Sequence, residues 1–547
     1  MLCEIIALTT TDHGAVAIID GAQISCDWEI IEKIAHSYDY REHLTLWTDR
    51  IETVFQDLVG VDGLTEKFKV SVGKPGLLSF HYGKIHIRSI EAYADTPGHE
   101  IREEYGQGKD TEGRLKSLVR FMADVDKETR ELGLDKKAGT AASTAHALWR
   151  QRFNPGGKWR CLQDDNAPED MDWTRRALYG GQTIAKVRGV VYTPGNMPEA
   201  IVKRLDAPAY ETPPGFRIWR IDATSAYPSH MRRDFGYPWA NVTDRFDLDD
   251  KHGVAEVDIE INSDGPRVLP LRLVKAGLVR TIWPEGPGVL QGVYSYLTLR
   301  EAISHGAVIK KVHRARGYRT THHPLKRLVG SVWRHQERIE RKCVRKVIKS
   351  YSRRLNGRFG VSRWRSELVP LWEYFKMMES DADSPLPRMT IGSDWCIMRT
   401  QQEKYAAYAQ PLWSATTIDR ATIVLSRIVH ELEASGLRVL YVDTDSVMFI
   451  AREGAGGLPE VPDAVRARML QKGLGGWKVD YVGDWCAIMG EKFYALDSGR
   501  CAFAGVPRDI QSELLHNGRA SYAQEATIFS PAREINFRLR AGQLEEG

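Results

Sequence analysis

A chain of 547 residues, 42% hydrophobic and 27% charged, can bury the cores of several domains and has the apolar content of an ordinary soluble protein. It contains no apolar run of the length needed to span a bilayer, no internal repeat and no low-complexity tract. The formal net charge is only +4, but Lys310–Arg358 holds 17 Lys/Arg against two acids, Glu337 and Glu340, a local field that attracts a polyanion.

In chain order, Cys3–Leu8 and Gly14–Ile19 read as a hairpin around Thr9–Gly14. Leu115–Leu134 reads as an amphipathic helix with Leu118, Phe121, Met122 and Val125 on one side, and Ala138–Phe153 as a second helix. Residues 155–173, rich in Gly, Pro and acids, read as a linker, with a new domain starting near Thr174. Ile218–Asp222 is an apolar strand ending on an acid, and Gly253–Ile261 another strand, whose Asp258 and Glu260 face solvent. Lys349–Gly360 is a basic helix that closes on glycines, with Trp333 and Tyr351 nearby to pack or stack. The segment Arg363–Ala407 has its own strand signals and a Ser384–Pro387 loop. The seven cysteines form no C-x-x-C pair, so neither a zinc site nor a disulfide framework is implied, and with no signal peptide the chain fits a reducing cytoplasm.

The most informative stretch is Tyr441-Val442-Asp443-Thr444-Asp445-Ser446. Leu437, Val439 and Leu440 precede it and Val447–Ile450 follow, the pattern of two buried strands joined by a tight turn. Carboxylates in such a setting are costly unless a cation offsets them, and hard oxygen ligands suit Mg²⁺. Asp443 and Asp445 share a face if the backbone stays extended between them. The competing reading is an Asp-rich hairpin turn. Against it stand a second acid motif, Asp222-Ala223-Thr224-Ser225-Ala226-Tyr227-Pro228-Ser229, and between the two the basic helix with Asn356-Gly357-Arg358-Phe359-Gly360.

In order, these three stretches resemble motifs A, B and C of the family B DNA polymerases. Lys492-Phe493-Tyr494 is similar to the family's K-x-Y element, Leu474–Lys478 to its lead-in, and Tyr179-Gly180-Gly181 to the Y-x-G-G element. The layout is closest to the protein-primed phage and linear-plasmid group. The resemblance implies an α+β multidomain right-hand polymerase preceded by a ribonuclease-H-like α/β domain of exonuclease type. Residues 1–165 would be that exonuclease-like domain and 166–323 the first part of the palm, with motif A. Residues 324–360 would be the fingers with motif B, formed by two antiparallel helices whose tip no Gly or Pro marks. Residues 361–500 would complete the palm, with an insertion at 363–407, and 501–547 would be a small thumb.

The implied chemistry is template-directed addition of deoxynucleotides to a 3′-hydroxyl with two Mg²⁺ ions about 4 Å apart, Mn²⁺ being an alternative. Asp222 and Asp445 would bridge the ions, with Asp443 in support and the carbonyl of Ala223 completing a shell. Tyr227, under the sugar, would exclude a 2′-hydroxyl; Ser225 and Asn356 would meet the nucleotide. Lys492, Tyr494, Tyr179, Gly180, Gly181 and Thr444 would line the primer and template.

The departures matter. The family's motif B lysine falls on Ser352, and Gly357 and Phe359 replace its Ser and Tyr. At about 100° per residue, Arg353 and Lys349 lie near the Asn356 face, and Arg345 and Arg338 share the stripe if the helix is continuous. Arg353 is the first choice for the triphosphate, because Lys349 starts about 10 Å away along the axis. A solvated basic face is the alternative. In the N-terminal domain, Leu8–Thr11 stands where the family carries D-x-E, and Arg120 where it carries a Tyr; only Asp124 matches. The domain is therefore expected to lack proofreading, unless acids such as Asp49, Glu52, Asp124 and Asp126 form another site. Expected partners are a DNA primer-template, dNTPs and a terminal protein or other replication protein, with a monomer acting in the cytoplasm of a bacterial host. Two other readings compete: a catalytically silent DNA-binding relative, and a reverse transcriptase, whose paired aspartates lack the intervening Thr.

Overall fold

The computed structural model describes most of residues 89–503, and before Ser89 only the backbone of several strands; residues 1–6, 27–43, 49–67, 155–167, 377–388 and 504–547, with shorter stretches between, lie outside the described residues. All of the expected small thumb after Phe503, the Ser384–Pro387 loop, Asp49 and Glu52 fall there.

The N-terminal region opens with antiparallel strands Ala7–Thr11, Gly14–Ile19 and Ala22–Cys26, so the expected hairpin is present. A four-stranded sheet follows, in which Leu44–Thr48 pairs in parallel with Ile85–Ser89 and the other pairs are antiparallel. Helix Thr111–Glu131 covers the predicted amphipathic segment except its last three residues, and Leu118, Phe121, Met122 and Val125 are all buried. The next helix, Ala141–Leu148, begins where the Thr140 side chain accepts from the Ser143 N–H and runs on as a π-turn, Trp149–Phe153.

Of the expected linker, 155–173, only the last residues are described, and they are not one. Pro168–Arg175 is a helix, anchored because Met171 and Trp173 are buried despite the acidic first turn.

The central sheet runs in the order Trp477–Gly483, Phe216–Ala223, Ser446–Arg452, Val439–Asp443, Thr183–Ala185, all neighbours antiparallel. Both of its faces are covered, which explains the near-continuous apolar runs. On one face Trp219, Ile221, Val447 and Phe449 pack against Leu425, Ile428 and Leu432 of the long helix Pro411–Ala434. On the other, Ile218, Met448 and Ile450 pack against Cys486, Ile488 and Leu496 of a second sheet. A third sheet contains His252–Ile261 between Gly288–Ser295 and Val308–Tyr318. There Asp258 and Glu260 point outward to His313 and Lys310, as expected of a solvent face.

The basic segment forms a helical hairpin, Lys326–Gln336 and Lys342–Phe359. Its turn is 337–341, so the helix is not continuous and Arg338 leaves the Asn356 stripe. Tyr351 is fully buried, packing rather than stacking at a surface. One core joins this hairpin to the N-terminal helices, with Phe121, Leu148 and Trp149 beside Val332, Val347, Leu355 and Phe359. The segment after it contains the expected strands, Trp364–Pro370, Met389–Ile391 and Trp395–Gln401, in one antiparallel sheet. Cys343, Cys486 and Cys501 are free thiols.

Candidate active site

The two acid motifs meet because their strands are neighbours. Asp222 stands opposite Ser446 on one side and Lys478 on the other, and the Ala223 N–H donates to the Asp445 carbonyl at 2.8 Å. The backbone between Asp443 and Asp445 does not stay extended, as face-sharing by strand alternation requires: Thr444 is left-handed, with φ 58°. The turn holds because the Thr444 N–H donates to the Gln182 carbonyl at 2.6 Å and the Asp445 N–H to the Asp443 carbonyl at 2.5 Å. Asp222 and Asp443 nonetheless both lie within electrostatic reach of Asp445. Burial, followed by the charges of Asp222 and Asp443, pushes the Asp445 carboxyl up to about 7. Burial, and then the charge of Asp480, raises Asp222.

Such a set repels itself and fits a divalent cation with oxygen ligands. The Ser225 hydroxyl, buried beside it at a left-handed residue (φ 53°), has no hydrogen-bond partner. Asp222, Asp443 and Asp445 are the residues that would hold such an ion. The Lys492 ammonium donates to Asp443 Oδ1, as does the Thr444 hydroxyl at 3.0 Å. Tyr227 opens the helix Ala226–Met231, and its hydroxyl is raised by burial and then by Asp445 and Asp443, so the ring lies within electrostatic reach of both.

The Tyr179–Gly181 loop docks on the carboxylate turn: a Cβ on Gly181 would sit 2.6 Å from Thr444 Cγ2, which requires glycine there. Gly180 is left-handed (φ 96°), and Tyr179 stacks on Tyr294 beneath the Arg272 guanidinium. Tyr494 is buried, its hydroxyl accepting from Arg220 at 2.8 Å, and its ring packs on Tyr441. The lead-in 474–478 pairs with the Asp222 strand, and the Thr224 N–H donates to the Gly476 carbonyl at 2.8 Å.

The hairpin cations separate clearly. Lys349 is lowered by loss of water and by Arg353 and Lys478, while Asp222 and Asp445 pull it back up, so it lies within electrostatic reach of the carboxylates. Arg353 is exposed beside it. Arg345 donates to the Ile339 carbonyl at 2.7 Å and fastens the hairpin turn, where Arg338 is exposed. Asn356 is buried, with its carbonyl accepting from the Ser414 hydroxyl, and the Ser352 hydroxyl turns back to the Lys349 carbonyl.

Sequence reasoning missed three groups. Asp480, at a bulge opposite the Asp222 strand, is bonded by Arg500 at 2.6 Å. Arg220, a charge inside an apolar strand, is buried and donates to the Ser446 hydroxyl; that interruption was the available signal. Asp419, within the long helix, lies within electrostatic reach of Tyr227.

No family model and no curated protein matches the chain by sequence. Solved structures do match it. Phi29 DNA polymerase complexed with primer-template DNA and incoming nucleotide substrates superposes with a TM-score of 0.64 at 13% identity, over 93% of this chain and 92% of that one. Phi29 DNA polymerase complexed with single-stranded DNA gives 0.61 at 13% identity over 93% of both chains. Its orthorhombic crystal form gives 0.61 at 14% identity over 94% and 93%. Over nearly its whole length, the chain therefore has the fold of phi29 DNA polymerase.

Proposed function

We propose that this chain is a template-directed DNA polymerase that adds deoxynucleotides to a primer 3′-hydroxyl and lacks proofreading, in phage or mobile-element replication. The observation that carries the reading is that paired strands of the central sheet bring Asp222, Asp443 and Asp445 into electrostatic reach, with Asp445 pushed up to about 7 and Lys349 within reach of Asp222 and Asp445. When bound there, Mg²⁺ or Mn²⁺ supplies Lewis-acid activation of the hydroxyl and charge neutralisation at phosphorus. The chain's own residues do the rest. Asp222 and Asp445 are held in register by backbone, so they position a charge-compensated site without reorganisation. Lys349 and Arg353 supply positive charge to the triphosphate, with Ser225 and Asn356 beside it. Tyr227 closes the space under the sugar. Lys492, which pairs with Asp443, would be free to meet the primer strand were that acid neutralised by a bound ion.

Primer-template DNA and dNTPs are the proposed substrates, since the matching solved complexes hold such molecules; a terminal protein or other replication protein remains the proposed further partner, and the active form a monomer. The catalytically silent DNA-binding reading is favoured by one observation, Ser352 in place of the motif B lysine. Extension of a primed template by labelled dNTPs with and without Mg²⁺ decides between them. DNA binding without any extension would establish the silent reading.

A further inference from the structure

The helix that carries Lys349, Arg353 and Asn356 begins badly by its own sequence. Its N-cap, Arg341, makes no side-chain cap, and its first turn holds Lys342 and Arg345 and no acid, the wrong charge for a helix N-terminus. The missing cap comes from the N-terminal region. Glu104, on the helix Gly98–Tyr105, accepts from the Lys342 N–H at 2.5 Å with one carboxylate oxygen and from the Cys343 N–H at 2.7 Å with the other. Burial opposes the charge on Glu104, but the Cys343 thiol, these amides and Arg341 outweigh it and hold the carboxyl below its ordinary range.

The same face contributes four more contacts. Glu100 pairs with Lys346 at 2.6 Å. Asp124 pairs with Arg341 at 3.1 Å and accepts from the Tyr105 hydroxyl at 2.6 Å, while the Arg341 guanidinium lies over the Tyr105 ring. Glu128 pairs with His335 at 2.9 Å. Below them the buried Tyr351 hydroxyl bonds Tyr93 at 3.0 Å and Thr129 at 2.8 Å. Exposed ion pairs contribute little singly. The cap, the buried hydroxyls and the shared core act on one helix, and Lys349 sits two turns from its capped end.

We infer that the N-terminal helical layer is the platform of the nucleotide-binding helix, and that Glu104 is a positioning residue that sets dNTP affinity through Lys349 and Asn356. The inference rests on the polymerase reading for its functional half. In this arrangement the N-terminal domain serves nucleotide binding, and Asp124, the acid that matches an exonuclease pattern, is engaged in holding the hairpin.

The test combines hydrogen exchange with single-turnover incorporation on the full chain. Glu104→Ala should accelerate exchange at the amides of residues 342–346, and raise the apparent Kd for dNTP roughly three- to thirtyfold while leaving the Kd for primer-template unchanged. Glu100→Lys, which sets a like charge against Lys346, should weaken dNTP binding in the same way, and the charge swap Glu100→Lys/Lys346→Glu should recover most of it, which a merely destabilised fold would not do. Unchanged exchange in Glu104→Ala overturns the inference. So does faster exchange with unchanged dNTP affinity, or a Kd for DNA that rises in parallel. Wild-type extension is scored separately: its absence counts against the polymerase reading, while the exchange rates still decide whether Glu104 holds the helix.

Discussion

Ala223 and Asp445 are joined main chain to main chain, N–H to carbonyl at 2.8 Å, so the strands bearing Asp222 and Asp445 are locked together by bonds that no side-chain substitution removes. Asp222→Ala or Asp445→Ala should therefore leave the scaffold in place while deleting one carboxylate. Each should lower extension by more than about 10³-fold, roughly 4 kcal/mol of barrier. Primer-template binding, measured by anisotropy, should survive. Near-wild-type extension by Asp445→Ala would remove that residue from the site.

Tyr227 follows the left-handed Ser225 and is half-buried beside both aspartates of the turn. Truncating it opens volume where the sugar is proposed to lie. Tyr227→Ala should admit ribonucleotides while keeping part of its dNTP activity, as read from single-turnover rates with each nucleotide. Unchanged discrimination would show that the ring is not the sugar gate.

The elements of the site were legible because their chemistry is local. An apolar strand ending on Asp222 and an apolar hairpin around Asp443 and Asp445 can be read from residue type and period. What could not be read is what tertiary packing decides. The left-handed Thr444 is imposed by the bond to Gln182, and Pro168–Arg175 turns from linker to helix because Met171 and Trp173 find a core. The hairpin turn at 337–341 carries neither Gly nor Pro; it is fixed by Arg345 on the Ile339 carbonyl, a contact with no sequence signature. Asp480 and Asp419 reach the site from strand and helix positions whose neighbours give no hint of it.

The N-terminal domain should not digest a mispaired 3′ end. Its first strand offers Leu8-Thr9-Thr10-Thr11 where a carboxylate pair is needed, and Asp124 is bonded to Arg341 and Tyr105. Metal-dependent 3′–5′ digestion that persisted in an Asp222→Ala/Asp445→Ala double variant would show that another acid set is at work.

Asp419 yields a pH dependence. Burial raises its carboxyl to about 7, against hydrogen bonds from Ser295 and Thr298, and its Oδ2 has no partner. A carboxyl raised on folding contributes stability that is complete below its unfolded value near 4 and is lost as pH rises to about 7. Asp419→Asn removes that loss. It should change thermal stability little at pH 3–4 and stabilise at pH 8 by on the order of 2–4 kcal/mol, at about 1.4 kcal/mol per pKa unit. A variant that is equally stabilised or destabilised at both pH values would show that this titration is not coupled to folding.

The migrated triphosphate contact is the sharpest point on which geometry and sequence differ. Helical angles favour Arg353 for its shorter reach, yet Lys349 is the cation that feels Asp222 and Asp445, and it is partly desolvated, whereas Arg353 is exposed. Desolvation matters because a charged hydrogen bond to phosphate contributes about 1.5–3 kcal/mol, and less where water competes. Lys349→Ala should raise the apparent Kd for dNTP roughly ten- to a hundredfold, with little change in the Kd for primer-template. Arg353→Ala should have the smaller effect on dNTP. If Arg353 instead contacts the DNA backbone, its loss should weaken DNA binding and flatten the salt dependence by about one counterion. Measuring both constants for both variants at two salt concentrations separates the cases. A selective dNTP defect in Arg353→Ala and none in Lys349→Ala would return the triphosphate to the residue that helical angles alone favour.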